Sequence, residues 1–286
     1  MLGMKKYIYG CLGLMLLTSC DLINPKEEVP AYFRIKEAQL VTDEGIEGAN
    51  TSKINDIWVN IDGNRQGTYE LPSTFPVLAT GSRSMVFRAG IKVNGIAASR
   101  QIYPFFDFYE FSMNLEEDSI YEITPIFHYK DATIFTWLEN FEDAGISMKK
   151  SSQSDTIMVT QPYLGQVSNY VGYFAVDDTR NRFLYETVDS FPRPASGTTV
   201  YLELEYESDD YLTVGLKLIT SQYSTYEPVI TLYPHPDGLN KIYIELGSFL
   251  TSSTSAVFYS VYFSTYKQID APKAEFYIDN IKLLRF

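Results

Sequence analysis

Apolar and polar residues alternate with a period of two in stretch after stretch of this chain. Ile57, Val59 and Ile61 take every second place, Asp62-Gly63-Asn64 follows, and a further run leads through Tyr69. A period of two sets the three apolar side chains on one side of an extended backbone, and a glycine-containing turn there makes a hairpin. A second strand pair is expected to turn at Val93-Asn94-Gly95 in "SRSMVFRAGIKVNGIAASRQIYPF". A third is expected at Glu116-Glu117-Asp118 in "FYEFSMNLEEDSIYEITPIFHYK". Pro72 and Pro76 bracket what reads as an irregular link, because proline donates no ladder hydrogen bond. Further on, "VGYFAVDD", "TVYLELEYESDDYLTVGLKLI", "KIYIELGSF" and "SAVFYSVYFS" repeat the alternation. Helical periodicity is nearly absent, the best short candidate being Ile134 to Phe141. The expected fold class is all-β, with six or so antiparallel strands forming a small first sandwich. Composition agrees, since the chain holds 23 Tyr and 18 Phe, residues that suit a pleated, half-buried surface.

The first twenty residues break this pattern. Lys5 and Lys6 precede an apolar run, Tyr7 to Leu17, too short to cross the roughly 20-residue depth of a bilayer. Leu17-Thr18-Ser19-Cys20 closes the run and resembles the bacterial lipobox. That resemblance implies cleavage before Cys20, lipidation of its sulfur, and a membrane as partner through the lipid anchor. More than one acyl chain, at about 0.8 kcal/mol per buried methylene, is needed to hold a protein stably at a membrane. Residues 1–19 are therefore assigned as a lipoprotein signal peptide and 20–31 as an acidic tether, in which Pro25 and Pro30 bar a helix. The acidic stretch after Cys20 resembles the surface-export signal of Bacteroidota lipoproteins. It implies an outer-membrane location facing either the periplasm or the cell surface. The only other cysteine, Cys11, lies in the leader, so the processed chain has no internal disulfide and depends on its core. No later stretch is apolar for 18 residues, so no second membrane segment is expected.

Removal of the leader leaves 267 of the 286 residues, room for one large or two modest domains. It also takes Lys5 and Lys6, moving the net charge from −13 to −15. Such a balance argues against nucleic acid as a partner and against charge-driven binding to anionic lipid. Residues 32–133 loosely resemble the small Ig-like or transthyretin-like β-sandwiches of surface proteins, in their strand, "DG" turn and "YELPSTFPVLATGSRSMVFRAGI" pattern. Residues 134–286 open on "TWLENFEDAG" and close on "AEFYIDNIKLLRF". Both ends resemble the galactose-binding-like jelly rolls found as carbohydrate-binding modules. The resemblance implies a C-terminal β jelly roll, glycan binding, and a structural calcium ion held by Glu142 and Asp279 with Glu139 or Asp143 assisting.

Catalytic chemistry finds little support. His128, in an apolar strand, and His235, in a proline-flanked turn, lack the spacing of a zinc site or a nucleophile–base pair. Asp177-Asp178 and Asp209-Asp210 read as solvated loop carboxylates, because neighbours on a strand point to opposite faces. The chain is therefore not expected to be an enzyme. Sugar binding needs an aromatic surface and a few hydrogen-bonding groups. Tyr163, Tyr170, Tyr173, Tyr223, Tyr226 and Tyr233 are candidates, and the loop "SQYSTYEP" singles out Tyr223 and Tyr226 as ligand-binding residues. The competing expectation is an envelope scaffold subunit of a secretion or uptake complex, with a protein partner seated on the aromatic segment "YPFFDFYEF".

Overall fold

The computed structural model describes residues 27–163 and 170–286. The expected signal peptide, Cys20 and the start of the expected tether lie outside the described residues. Ten strands make the N-terminal unit: β1 (Ala31–Ile35), β2 (Gln39–Leu40), β3 (Asp56–Ile61), β4 (Asn64–Glu70), β5 (Ser73–Val77), β6 (Gly81–Lys92), β7 (Arg100–Ile102), β8 (Phe108–Leu115), β9 (Ile120–Glu122) and β10 (Ile126–Phe127). The hairpin expected at Ile57–Tyr69 is present, with Ile61 opposite Asn64. Asp62 and Gly63 both take positive φ, 49° and 79°, the twist that a two-residue hairpin loop requires. The Asp62 carboxylate fastens this turn to β6 by accepting from the Ser84 backbone at 2.9 Å and from Arg83 at 3.0 Å.

β6 pairs with β3, β7 and β8 in a five-stranded sheet of order β4-β3-β6-β7 with β8 also on β6. A second layer, β5-β1-β9, packs on it through Phe33, whose ring lies 5.9 Å from Phe75 and 6.0 Å from Phe87. Three expectations are corrected here. Ser73–Val77 is a regular strand antiparallel to β1, and Pro76 is accommodated within it. The strands flanking Glu116-Glu117-Asp118 do not pair with each other: β8 stays on β6 while β9 crosses to the second layer. There β9 runs parallel to β1, and β10 runs parallel to β2, so the sandwich is not wholly antiparallel. Alternation along a strand specifies which face is buried, whereas the neighbour is chosen by contacts far away in the chain.

The C-terminal unit holds β11 (Ile134–Glu139), β12 (Met148–Lys150), β13 (Val159–Pro162), β14 (Tyr170–Asp177), β15 (Arg182–Thr187), β16 (Phe191–Pro192), β17 (Val200–Ser208), β18 (Leu212–Ile219), β19 (Ser224–Leu232), β20 (His235–Glu245), β21 (Phe258–Tyr266) and β22 (Lys273–Arg285). They form two six-stranded sheets, β13-β14-β22-β17-β20 with β11 on β22, and β12-β15-β21-β18-β19 with β16 on β21. The inner faces meet in one apolar core, where Phe174 stacks on Phe183 at 3.5 Å and on Phe276 at 4.8 Å. This is the all-β, two-sandwich architecture expected, with a jelly roll at the C-terminal end.

Ile134–Glu139 is a strand, which corrects the short helix expected there. Its alternation buries Trp137 and Glu139, and pairing with β22 from Ile134–Arg285 to Glu139–Ile281 outweighs a local preference. The opening and closing segments of the jelly roll thus lie side by side. Glu139 accepts from the backbone of Phe141 at 2.9 Å and from Ser147, so it locks the turn after β11. Phe141 lies in the left-handed region, φ 57°, and its ring covers Gly172, where an added Cβ would come within 2.5 Å of the ring. Any larger residue at 172 would displace that ring.

Candidate functional site

Along β17 and β22 one set of side chains enters the core (Leu202, Leu204, Phe276, Ile278) and the other faces outward (Tyr201, Glu203, Glu205, Glu207, Glu275, Tyr277). In β22 the alternation is reset at Asp279-Asn280, where Asn280 takes φ 47° opposite a register shift between Glu203 and Glu205. Ile281 and Leu283 return to the core after the shift, and Lys282 points outward. The outward face therefore carries a band of charged and aromatic groups, which the N-terminal unit divides into a covered and an open part.

The covered part is a buried polar seam. Glu203 is fully buried and accepts from the hydroxyls of Tyr103 at 2.6 Å and Tyr129 at 2.9 Å, and it pairs with Lys241 at 3.1 Å. Lys282, also buried, donates to the Ala49 carbonyl at 2.6 Å and to the Tyr129 hydroxyl at 3.3 Å. Burial pulls the Lys282 ammonium down to about 7, and the charge of Lys241 adds to the effect. Burial likewise pushes Tyr103, Tyr129 and Tyr243 well above the usual phenol range, with the negative charge of Glu203 adding to it. Rings complete the joint: Tyr103 lies 4.7 Å from Phe106, 5.5 Å from Tyr201 and 4.8 Å from Tyr243. Tyr201, Tyr243 and Leu284 belong to the core of the N-terminal unit, so the two sandwiches share packing. The aromatic segment read as a docking surface is thus used inside the chain, since Phe105 and Phe106 are buried here and Phe105 meets Phe286 at 4.6 Å.

The open part is an aromatic and acidic platform. Tyr173 of β14 is opposite Tyr277 of β22, which is opposite Glu207 of β17, so the three stand in one row across three strands. The Tyr277 ring lies 5.2 Å from Tyr173 and 5.7 Å from Tyr163, and the Tyr163 hydroxyl donates to Glu207. Glu275, two residues before Tyr277, accepts from the Tyr173 hydroxyl at 2.6 Å and from Lys273 at 2.6 Å. All three rings are half-buried. Partial burial, followed by the neighbouring carboxylates, raises the tyrosine pKa values, while Lys273 and Tyr173 hold the Glu275 carboxyl below its usual range. The rings offer flat apolar faces, the carboxylates accept hydroxyl protons, and Lys273 donates.

The residues expected to bind ligand are distributed differently. Tyr223 projects from the β18–β19 hairpin and is 59% exposed. Tyr226 lies on the opposite sheet from the platform, where its hydroxyl donates to Glu186 at 2.8 Å and its ring meets Tyr262 at 5.3 Å. Lys217 bonds the same carboxylate at 3.0 Å, so Tyr226 is one member of a knot on that face. Glu142 accepts from the Tyr170 backbone at 3.0 Å, and Asp279 is fully buried beside Asn280, whose amide donates to it at 3.0 Å. Among the described residues no group of three or more His, Cys, Asp or Glu side chains is placed to hold a metal ion. His128 is half-exposed with Asp107 at 3.6 Å. Asp210 corrects the expectation of a solvated pair, because it is fully buried and ties together the backbones of Tyr211, Gln268 and Ile269. Tyr163 and Tyr173 were among the residues singled out by sequence, but Tyr277, Glu207 and Glu275 were not. Their signal was present as polar residues at every second place opposite an apolar set, in Glu203-x-Glu205-x-Glu207 and Glu275-x-Tyr277.

No protein-family model and no curated protein matches the chain. Among solved structures, the chain is similar to the CBM22-2 xylan-binding domain of Paenibacillus barcinonensis Xyn10C, at 16% identity and a TM-score of 0.40, covering 52% of this chain and 99% of that one. The CBM22-1–CBM22-2 tandem of the same protein matches at 14% identity and a TM-score of 0.40, over 81% of this chain and 74% of that one. The C-terminal family 22 carbohydrate-binding module of Clostridium thermocellum Xyn10B matches at 12% identity and a TM-score of 0.38, over 55% of this chain and 97% of that one. None of these likenesses assigns a ligand to the present chain.

Proposed function

We propose that the protein is a non-catalytic, glycan-binding lipoprotein of the outer membrane, anchored through Cys20 and binding carbohydrate on the open half of the β14–β22–β17 face. The observation that carries this reading is the row Tyr173–Tyr277–Glu207, a pair of tilted rings 5.2 Å apart ending in a hydrogen-bond acceptor, all three half-buried on the outward face of the sheet. A pyranose presents axial C–H groups to a ring face and hydroxyls at its rim. Stacking on Tyr277 with hydroxyls turned to Glu207 and Glu275 meets both requirements. The seam supports the reading in a second way: it rigidifies the sheet beneath the platform, so little ordering is needed on binding.

The deciding experiment is a glycan-array screen followed by calorimetry on the best ligand. Tyr277→Ala is expected to weaken binding by about tenfold or more, with the melting temperature little changed because the ring is half-exposed. Unaltered affinity would remove the platform from the function. The anchor has its own test, in which labelled palmitate enters the wild type and fails to enter Cys20→Ala. Equal labelling of the two would remove the membrane from the proposal.

A further inference from the structure

A cavity of about 480 Å³ opens where the N-terminal unit meets the outer edge of β20, within the roughly 300–1,000 Å³ range of small-ligand sites. Its walls come from both units, with Lys53 and Lys92 on one side and Tyr206, Tyr233, Asn240 and Lys241 on the other. Among the described residues that line it there is no Asp or Glu, although acidic residues outnumber Lys and Arg by 36 to 23 in the chain. The carboxylates that reach these lysines do so from outside. Glu70 approaches Lys92 at 3.8 Å from an exposed position, and Glu203 meets Lys241 from within the seam. Lys53 donates to the neutral Asn240 carbonyl. Its ammonium is held below the usual lysine range, first by burial and then by the charge of Lys92. Positive charge is thus gathered in a concave, partly desolvated place and left incompletely neutralised, which is the electrostatic form of an anion site.

The cavity also adjoins the platform. The Leu239 backbone meets the Tyr163 hydroxyl, which bonds Glu207, and Asn240 is the next residue along β20. Tyr206, immediately before Glu207, is opposite Asn240 in the ladder. At the mouth, Tyr233 is 73% exposed and gives a second ring surface. Lys241 is opposite Glu205, two places along β17 from Glu207, so the cleft and the platform are neighbours on this strand pair.

We propose that this cleft binds an acidic sugar unit, one carrying a ring carboxylate or a sulfate ester, within the glycan held by the platform. This rests on the glycan-binding reading and narrows it to anionic polysaccharide. Lys53 and Lys92 supply the charge-assisted donors, Asn240 accepts a neighbouring hydroxyl, and Tyr233 packs on the ring. Unlike the platform, the site needs both units, since Lys53 and Lys92 come from the N-terminal one and Asn240 and Tyr233 from the C-terminal one.

The test uses the full-length protein and calorimetry with three probes: an oligogalacturonide, a sulfated carrageenan oligosaccharide and a neutral xylo-oligosaccharide. One acidic probe is expected to bind about tenfold or more tighter than the neutral one, and that advantage is expected to shrink at high salt. Which acidic probe it is decides between carboxylate and sulfate. The double variant Lys53→Ala, Lys92→Ala should abolish the advantage and leave neutral binding unchanged, while Lys53→Glu should invert the preference. Equal affinity for acidic and neutral probes, or an advantage that survives the double variant, overturns the cleft. Failure of the platform reading looks different: Tyr277→Ala then leaves every probe unaffected while the acid preference persists. Silence toward all three probes overturns both.

Discussion

Glu203→Gln is expected to destabilise the protein by about 3–5 kcal/mol, the cost of removing one partner from a buried ion pair. The carboxylate is fully buried, and three groups converge on it: the hydroxyls of Tyr103 and Tyr129 and the ammonium of Lys241. Glutamine keeps the volume and one acceptor. It leaves the Lys241 charge uncompensated in a place where Lys282 already crowds it. Tyr103 and Tyr129 belong to the N-terminal unit and Glu203 to the C-terminal one, so the loss falls on the joint rather than on either core. Urea unfolding followed at the two tryptophans separates these effects, since Trp58 reports on the first sandwich and Trp137 on the second. The wild type should give one coincident transition, and the variant an earlier one in which the two probes part. A loss of unfolding free energy below about 1 kcal/mol would show that the seam is held by its rings alone.

The second large effect is on pH dependence. Lys282 titrates near 7 in the folded protein, and an unfolded lysine near 10.4. Between those values the unfolded chain holds a proton that the folded chain has released, so stability rises with pH across the window. At about 1.4 kcal/mol per pH unit, the full interval corresponds to about 5 kcal/mol. Above roughly pH 10 the sign reverses: Tyr103, Tyr129 and Tyr243 are pushed up by burial, so unfolded phenols lose protons first and stability falls. Denaturation midpoints should therefore climb from neutral pH to a maximum near pH 10 and then decline. Lys282→Met should flatten the climb and be the more stable protein below neutrality, where the wild type must keep a charge in the seam. Lys36→Met, at a solvent-exposed lysine, serves as the control. A climb of equal slope in Lys282→Met would exclude this lysine as its source.

How much of this was legible in the sequence depended on the range of the interactions. Ile57, Val59 and Ile61 announce their strand, and Asp62-Gly63 announces the turn, because both signals are contained in a few residues. The jelly-roll ends were legible as a pair of motifs, and the β11–β22 ladder brings them into contact. Ser73–Val77 was hidden because Pro76 speaks against a strand locally, while pairing with Ala31–Ile35 is a distant fact. The seam was hidden for the same reason: Tyr103 and Glu203 are 100 positions apart, and neither carries a local mark of the other. Tyr277 was overlooked because it sits inside a motif read for its fold, where a half-buried outward ring looks like any strand tyrosine.

The place of β1 in the first sandwich decides how the protein takes a pull from its N-terminal side. β1, the first strand after the described N-terminal residues, lies in the middle of its sheet, antiparallel to β5 on one side and parallel to β9 on the other. Tension applied through the preceding segment runs along the axis of β1, so both ladders are loaded in shear. Every bond then shares the force, instead of parting one after another as in the peeling of an edge. A pull on the segment before β1 is thereby met by two ladders together.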